Sequence, residues 1–111
     1  MKYMFLLYNV ESEEHLSPEA MAEWAQFEKY LGQRGGKIAG AALQSTATAT
    51  TVSSRRGETI VSDGPFADTK EQLGGFYIVE CADLDEAVEV AARIPWASSG
   101  HIEVRPVMDF G

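Results

Sequence analysis

Lys2-Tyr3-Met4-Phe5-Leu6-Leu7-Tyr8-Asn9-Val10 decides the fold of this chain, because both of its alternating faces are apolar. Tyr3, Phe5 and Leu7 fall on one side, and Met4, Leu6 and Tyr8 on the other. A strand of that kind is covered on each face and lies inside a sheet, not at its edge. After a polar loop from Glu11 to Leu16, Ser17-Pro18-Glu19 supplies an N-cap, a first-turn proline and an acid suited to the positive end of a helix. Met21, Trp24, Phe27 or Glu28, and Leu31 then recur at helical spacing, and Gly32, Gly35 and Gly36 stop the helix.

Lys37 to Gln44 reads as a weak second strand and Thr48 to Ser54 as a β-branched third. Arg55-Arg56-Gly57-Glu58 turns the chain into Thr59 to Ser62, which makes a hairpin. Gly75 to Cys81 is the next strand. Asp83 caps a second helix, with Glu86 three residues on in a capping-box arrangement, a stripe of Leu84, Ala87, Val88, Ala91 and Ile94, and Pro95 as the stop. His101 to Val107 is the last strand. It carries Ile102 and Val104 on one face and His101, Glu103 and Arg105 on the other.

This order predicts one α+β domain over residues 1–111: a ferredoxin-like split βαβ unit with an inserted β-hairpin. Two helices cover only one face of such a sheet. The first strand is apolar on both, so a second copy of the chain is expected to cover the other face and to enclose a cavity, as an isologous homodimer. The rival arrangement is a monomer whose hairpin folds over the open face.

The formal net charge of −8 and the lack of a basic run argue against direct nucleic-acid binding. The N-terminal apolar run is far shorter than a membrane span and has no cleavage-site pattern, so neither membrane insertion nor a signal peptide is expected. One cysteine, Cys81, excludes an internal disulfide and fits a cytoplasmic setting. Two isolated histidines and that cysteine offer no metal spacing, and Gly74-Gly75 lacks the pattern of a phosphate loop. No metal and no cofactor are therefore expected.

The stretch from Asp63 to Phe76 reads as the site. Asp63-Gly64-Pro65-Phe66 places a permissive residue before a φ-locked one, so the chain turns where a strand ends. A cleft at this turn is expected to bind a small molecule, aromatic or carbonyl-bearing. Desolvation beside an apolar wall suits Asp63 to proton transfer, and the alternative is a turn carboxylate that accepts backbone hydrogen bonds. Lys70 holds an anionic group, pairs with Asp63, or is a solvated surface lysine beside Glu71. Glu28, four residues after Trp24, sits at the edge of the buried helical stripe, where it forms a carboxylate pair with Asp63 or an ion pair with a basic residue. His101 and Arg105 look into the expected interface, and Tyr8, Gly64, Pro65 and Phe66 complete the expected binding set. Tyr3, Phe5, Trp24, Phe76 and Tyr77 either line an aromatic pocket or form core. His15, in an acidic loop, is expected to be exposed.

Asp63-Gly64-Pro65-Phe66, Thr69-Lys70-Glu71, Leu73-Gly74-Gly75-Phe76-Tyr77, Asp83-Leu84-Asp85-Glu86-Ala87 and Glu103-Val104-Arg105-Pro106-Val107 at these separations resemble the YCII-related proteins of the DGPF type. The likeness extends over nearly the whole chain, starting at Lys2-Tyr3-Met4. It implies a ferredoxin-like fold assembling as a dimeric α+β barrel. For activity it implies two alternatives. One is cofactor-independent lyase or isomerase chemistry on chlorinated or hydroxylated ring products through a His and Asp pair. The other is a non-catalytic regulatory or partner-binding module associated with an extracytoplasmic-function sigma factor. The Asp of the pair matches Asp63. Glu28, in Phe27-Glu28-Lys29, stands where the first-helix His is expected, so His101 is the imidazole that could replace it.

Overall fold

The computed structural model describes residues 1–111. Six strands and two α-helices follow one another as β1 (Lys2–Asn9), α1 (Pro18–Arg34), β2 (Lys37–Ala42), β3 (Thr50–Arg55), β4 (Glu58–Asp63), β5 (Gln72–Glu80), α2 (Leu84–Ala92) and β6 (His101–Pro106). Short 3₁₀ turns occupy Glu13–Leu16, Thr46–Thr48 and Pro95–Ser98. Four strands form one antiparallel sheet in the order β2-β5-β1-β6, the arrangement of a split βαβ domain. β1 is interior, as its apolar faces require.

The helices begin and end for local reasons. Ser17 Oγ accepts from the Ala20 N–H at 3.2 Å, and Pro18 follows it at a position whose N–H has no partner inside the helix. α1 runs through Gly32 and stops at Gly35, whose φ of 82° suits a residue without Cβ and whose N–H reaches Leu31 O at 2.9 Å. At α2, Asp83 Oδ1 accepts from Glu86 N at 2.9 Å. Glu86 does not return the bond to Asp83. Its carboxylate takes the Ala82 N–H at 3.3 Å and pairs with Arg34 instead, which joins the end of α1 to the start of α2.

Both helices pack on one face of the sheet. Tyr3, Phe5 and Leu7 of β1 meet Phe27 and Leu31 of α1, with Ala87, Val90 and Ala91 of α2 and Ile94 beyond it. The apolar stripe of α2 is rotated from the expected one: Leu84 and Val88 are exposed and Val90 is buried. Met21, expected in the stripe of α1, is also exposed. A helix that packs against a sheet on one side buries only the turns that lie directly over it.

The opposite face of the sheet carries Met4, Leu6 and Tyr8 beside Phe76 and Ile78, all half-exposed in the single chain. His101, Glu103 and Arg105 of β6 flank this row, opposite Tyr8, Leu6 and Met4. The β3–β4 hairpin forms its own two-stranded sheet and does not join the four. Its turn holds Arg56 and Gly57 at φ 52° and 80°, the left-handed pair that matches the twist of a tight hairpin. Val52, Ile60 and Val61 are exposed along it. The radius of gyration, 16.0 Å, exceeds the about 13 Å of a compact chain of this length, so the chain is extended beyond its core.

Candidate functional site

A cavity of about 870 Å³ lies on the helix side of the sheet, between α1, the loop that precedes it and the β2 edge. Its floor depends on residues without side chains. A Cβ on Gly74 would stand 2.5 Å from Trp96 Cη2, so the indole rests directly on that backbone. A Cβ on Gly40 would stand 2.8 Å from Tyr77 Cδ1, so β2 approaches the phenol ring equally closely. Gly74 is the extra residue of a β-bulge: β1 pairs Leu7 with Gly75 and Tyr8 with Leu73. The Gly74-Gly75 pair thus sits inside β5 and not at its entrance, and both residues line the cavity.

Aromatic rings form the walls. Trp24 of α1 stacks on Tyr77 with centroids 6.4 Å apart and meets Trp96 edge-on at 6.2 Å. His15 lies against Trp96 with ring centroids 5.0 Å apart. At the mouth, Glu11 accepts from Ser45 Oγ at 2.9 Å and from the Thr46 N–H at 2.7 Å, which fastens the root of the hairpin to the β1–α1 loop. The backbone N–H of Thr46 is the main reason the Glu11 carboxyl is held below its ordinary range.

The polar centre joins three elements. Tyr77 Oη on β5 donates to Glu28 Oε1 on α1 at 2.6 Å, and Lys37 Nζ on β2 donates to Glu28 Oε2 at 3.1 Å. Lys37 also stands 5.3 Å from the centroid of the Tyr77 ring. The Tyr77 hydroxyl lowers the Glu28 carboxyl below its usual range, with Lys37 adding to the effect against a smaller penalty from burial. Burial raises the Tyr77 phenol, and the Glu28 carboxylate raises it further. The array therefore holds an anion on Glu28, a proton on Tyr77 and a cation on Lys37.

Of the residues expected to act or bind at the Asp63 cleft, Glu28 alone lines this cavity, and its partners are Tyr77 and Lys37 rather than Asp63. Asp63 is the exposed last residue of β4, opposite Thr50. The turn after it is real: Gly64 has a φ of 94°, its N–H reaches Ala49 O at 2.8 Å and its carbonyl accepts from Thr51 Oγ1 at 2.7 Å. Pro65, Phe66 and Lys70 are exposed beyond it, and none of these residues lines the cavity. A sharp turn at a strand end needs no concavity, and here the strand belongs to the outlying hairpin. Tyr8 faces the helix-free side. His101 is exposed with Nδ1 2.9 Å from Glu71, and Arg105 lies 3.6 Å from Glu103. Within the chain, neither His101 nor Glu28 makes a hydrogen bond to Asp63.

His15 departs from its expected exposure: it is half-buried in the cavity wall. Trp96 and Lys37 were likewise absent from the expected set, whereas Trp24 and Tyr77 were among the aromatic candidates. A faint signal for Trp96 exists, since a bulky ring needs a residue without Cβ opposite it and Gly74 is one. No group of three or more His, Cys, Asp or Glu side chains is placed to hold a metal ion, and no helix is long and apolar enough to cross a membrane.

An antiparallel sheet with two helices on one face and an aromatic-walled cavity beneath the first helix defines a mixed α+β domain of the ferredoxin-like kind. The chain belongs to the YCII-related domain family, which matches residues 1–111. It is 40% identical over 114 residues to the uncharacterized protein R00369 of Rhizobium meliloti (strain 1021), covering 96% of this chain and 92% of that one. Its fold is similar to that of 5-chloro-2-hydroxyhydroquinone dehydrochlorinase (TftG) from Burkholderia phenoliruptrix AC1100, solved in complex with 2,5-dihydroxybenzoquinone. The TM-score is 0.55 at 15% identity, over 97% of this chain and 94% of that one.

Proposed function

We propose that the cavity beneath α1 binds a planar, hydroxylated or carbonyl-bearing small molecule and supports cofactor-independent acid–base chemistry of the lyase or isomerase type. The observation that carries this reading is the Tyr77–Glu28–Lys37 array between aromatic walls. Trp24 and Trp96 offer ring faces for stacking. Glu28 accepts from a ligand hydroxyl, and Lys37 draws an oxyanion. The dehydrochlorinase of similar fold, with its dihydroxylated ring compound, supports the ligand class.

The functional unit in this reading is a cytoplasmic homodimer. Met4, Leu6, Tyr8, Phe76 and Ile78 form an apolar row that a second copy would remove from water. The hairpin leaves the four-stranded sheet to itself, so covering by a second chain remains the simpler way to bury the row. His101 and Arg105 flank that row, so any role for them, or for Asp63 with its Gly64-Pro65-Phe66 turn and Lys70, belongs to the assembled dimer.

A second reading, a regulatory module linked to a sigma factor, draws on Phe66 and Phe110, which are 90% and 92% exposed. It requires a protein partner that is lost on Phe66→Ser.

Calorimetric titration with 2,5-dihydroxybenzoquinone tests the first reading. Binding weakened about tenfold or more by Glu28→Gln and by Lys37→Met, about 1.4 kcal/mol each, supports it. Unaltered affinity in both variants contradicts it.

A further inference from the structure

We infer that His15 is the proton acceptor of this cavity, taking the hydroxyl proton of a planar phenol or enol at Nδ1. The inference rests on the cavity being a ligand site and assigns its base. His15 Nε2 lies 2.8 Å from the carbonyl oxygen of Val10. A carbonyl only accepts, so Nε2 carries the hydrogen and the lone pair of the neutral ring is on Nδ1. No protein group bonds Nδ1. The ring is half-buried against Trp96 in the cavity wall, so its orientation is fixed before a ligand arrives.

The other ionisable groups of the lining suit the role of base less well. Both oxygens of Glu28 are engaged, by Tyr77 and Lys37, and those bonds weaken it as a base. Tyr77 keeps its proton for Glu28. Glu11 is fastened to Ser45 and Thr46. Glu13 is exposed on the same turn as His15, and a solvated carboxylate is a weaker base than an imidazole.

In the step, the ligand O–H bond breaks and an Nδ1–H bond forms. The electron pair stays on the ligand oxygen, leaving a phenolate or enolate beside an imidazolium that still donates from Nε2 to Val10. Lys37 supplies the second cation of the lining.

4-Nitrocatechol is the probe, because ionising its ring hydroxyl changes its visible absorption. At a pH of about 6.5, where an ordinary imidazole is half neutral, the wild-type complex is expected to show a phenolate band stronger than the free probe's. His15→Gln is expected to lose that excess while the indole N–H resonances of Trp24 and Trp96 still shift on binding. His101→Gln, outside the cavity lining, is expected to keep it. In ¹⁵N spectra of the unaltered protein, His15 Nδ1 is expected to gain a proton on binding and His101 to stay unchanged. Retention of the stronger phenolate band in a folded His15→Gln, or no change at Nδ1 in the bound wild type, overturns the assignment. If the probe moves neither indole resonance, the cavity reading fails first and the assignment falls with it.

Discussion

The hydroxyl of Tyr77 donates to Glu28 Oε1 across 2.6 Å and thereby ties the sheet to α1 at the edge of the cavity. A neutral donor bonded to a carboxylate stabilises the charged form, so each group shifts the other's titration.

Tyr77→Phe removes that bond and leaves a half-exposed carboxylate able to recruit water. The expected loss of stability is about 1 kcal/mol at neutral pH, read as a lower urea midpoint. The sign with pH follows from the lowered Glu28 carboxyl. Its contribution is present above the ordinary carboxylate value and is lost as pH falls through the lowered folded-state value. The gap between wild type and Tyr77→Phe should therefore narrow in acid. Tyr77 is raised, so its own contribution persists until strongly alkaline pH.

Gly74→Ala places a methyl group where the Trp96 ring now stands. The indole must move, at a cost of about 1–3 kcal/mol. The checks are the urea midpoint and a changed Trp96 indole resonance, with ligand affinity falling alongside.

Glu11→Gln removes the charge that fastens Ser45 and Thr46 to the loop before α1. Faster hydrogen exchange at the Thr46 amide is expected, with the hairpin amides of β3 and β4 unaffected. Because the Glu11 carboxyl is lowered in the folded protein, the wild type should reproduce this loosening in acid, below the lowered value.

Leu6→Glu puts a charge in the apolar row opposite Phe76 and Glu103. Sedimentation of the wild type at twice the chain mass, and of Leu6→Glu at one chain mass with unchanged circular dichroism, is the expected result. A wild type that sediments as one chain at micromolar concentration removes the dimer from the account.

Much of the fold was legible because its signals are local. Ser17-Pro18 and Asp83 mark helix starts, Gly57 marks a tight turn, and β1 declares its interior place by being apolar on both faces. Glu28 was legible as a candidate from its position four residues after Trp24. The rest depended on contacts distant in sequence. Gly74 matters because Trp96 lies on it, and the half-buried position of His15 arises from Trp96 and the Val10 carbonyl. Asp-Gly-Pro at 63–65 announced a turn correctly, yet turn chemistry says nothing about concavity, and the neighbouring strand departs from the body of the domain.

Chemical-shift mapping with 4-nitrocatechol tests the location of the site most directly. Displacements centred on the Trp24 and Trp96 indoles and on the amides of Gly40, Gly74 and Tyr77 are predicted. Displacements centred instead on Asp63 to Lys70, with both indoles unmoved, would contradict the account.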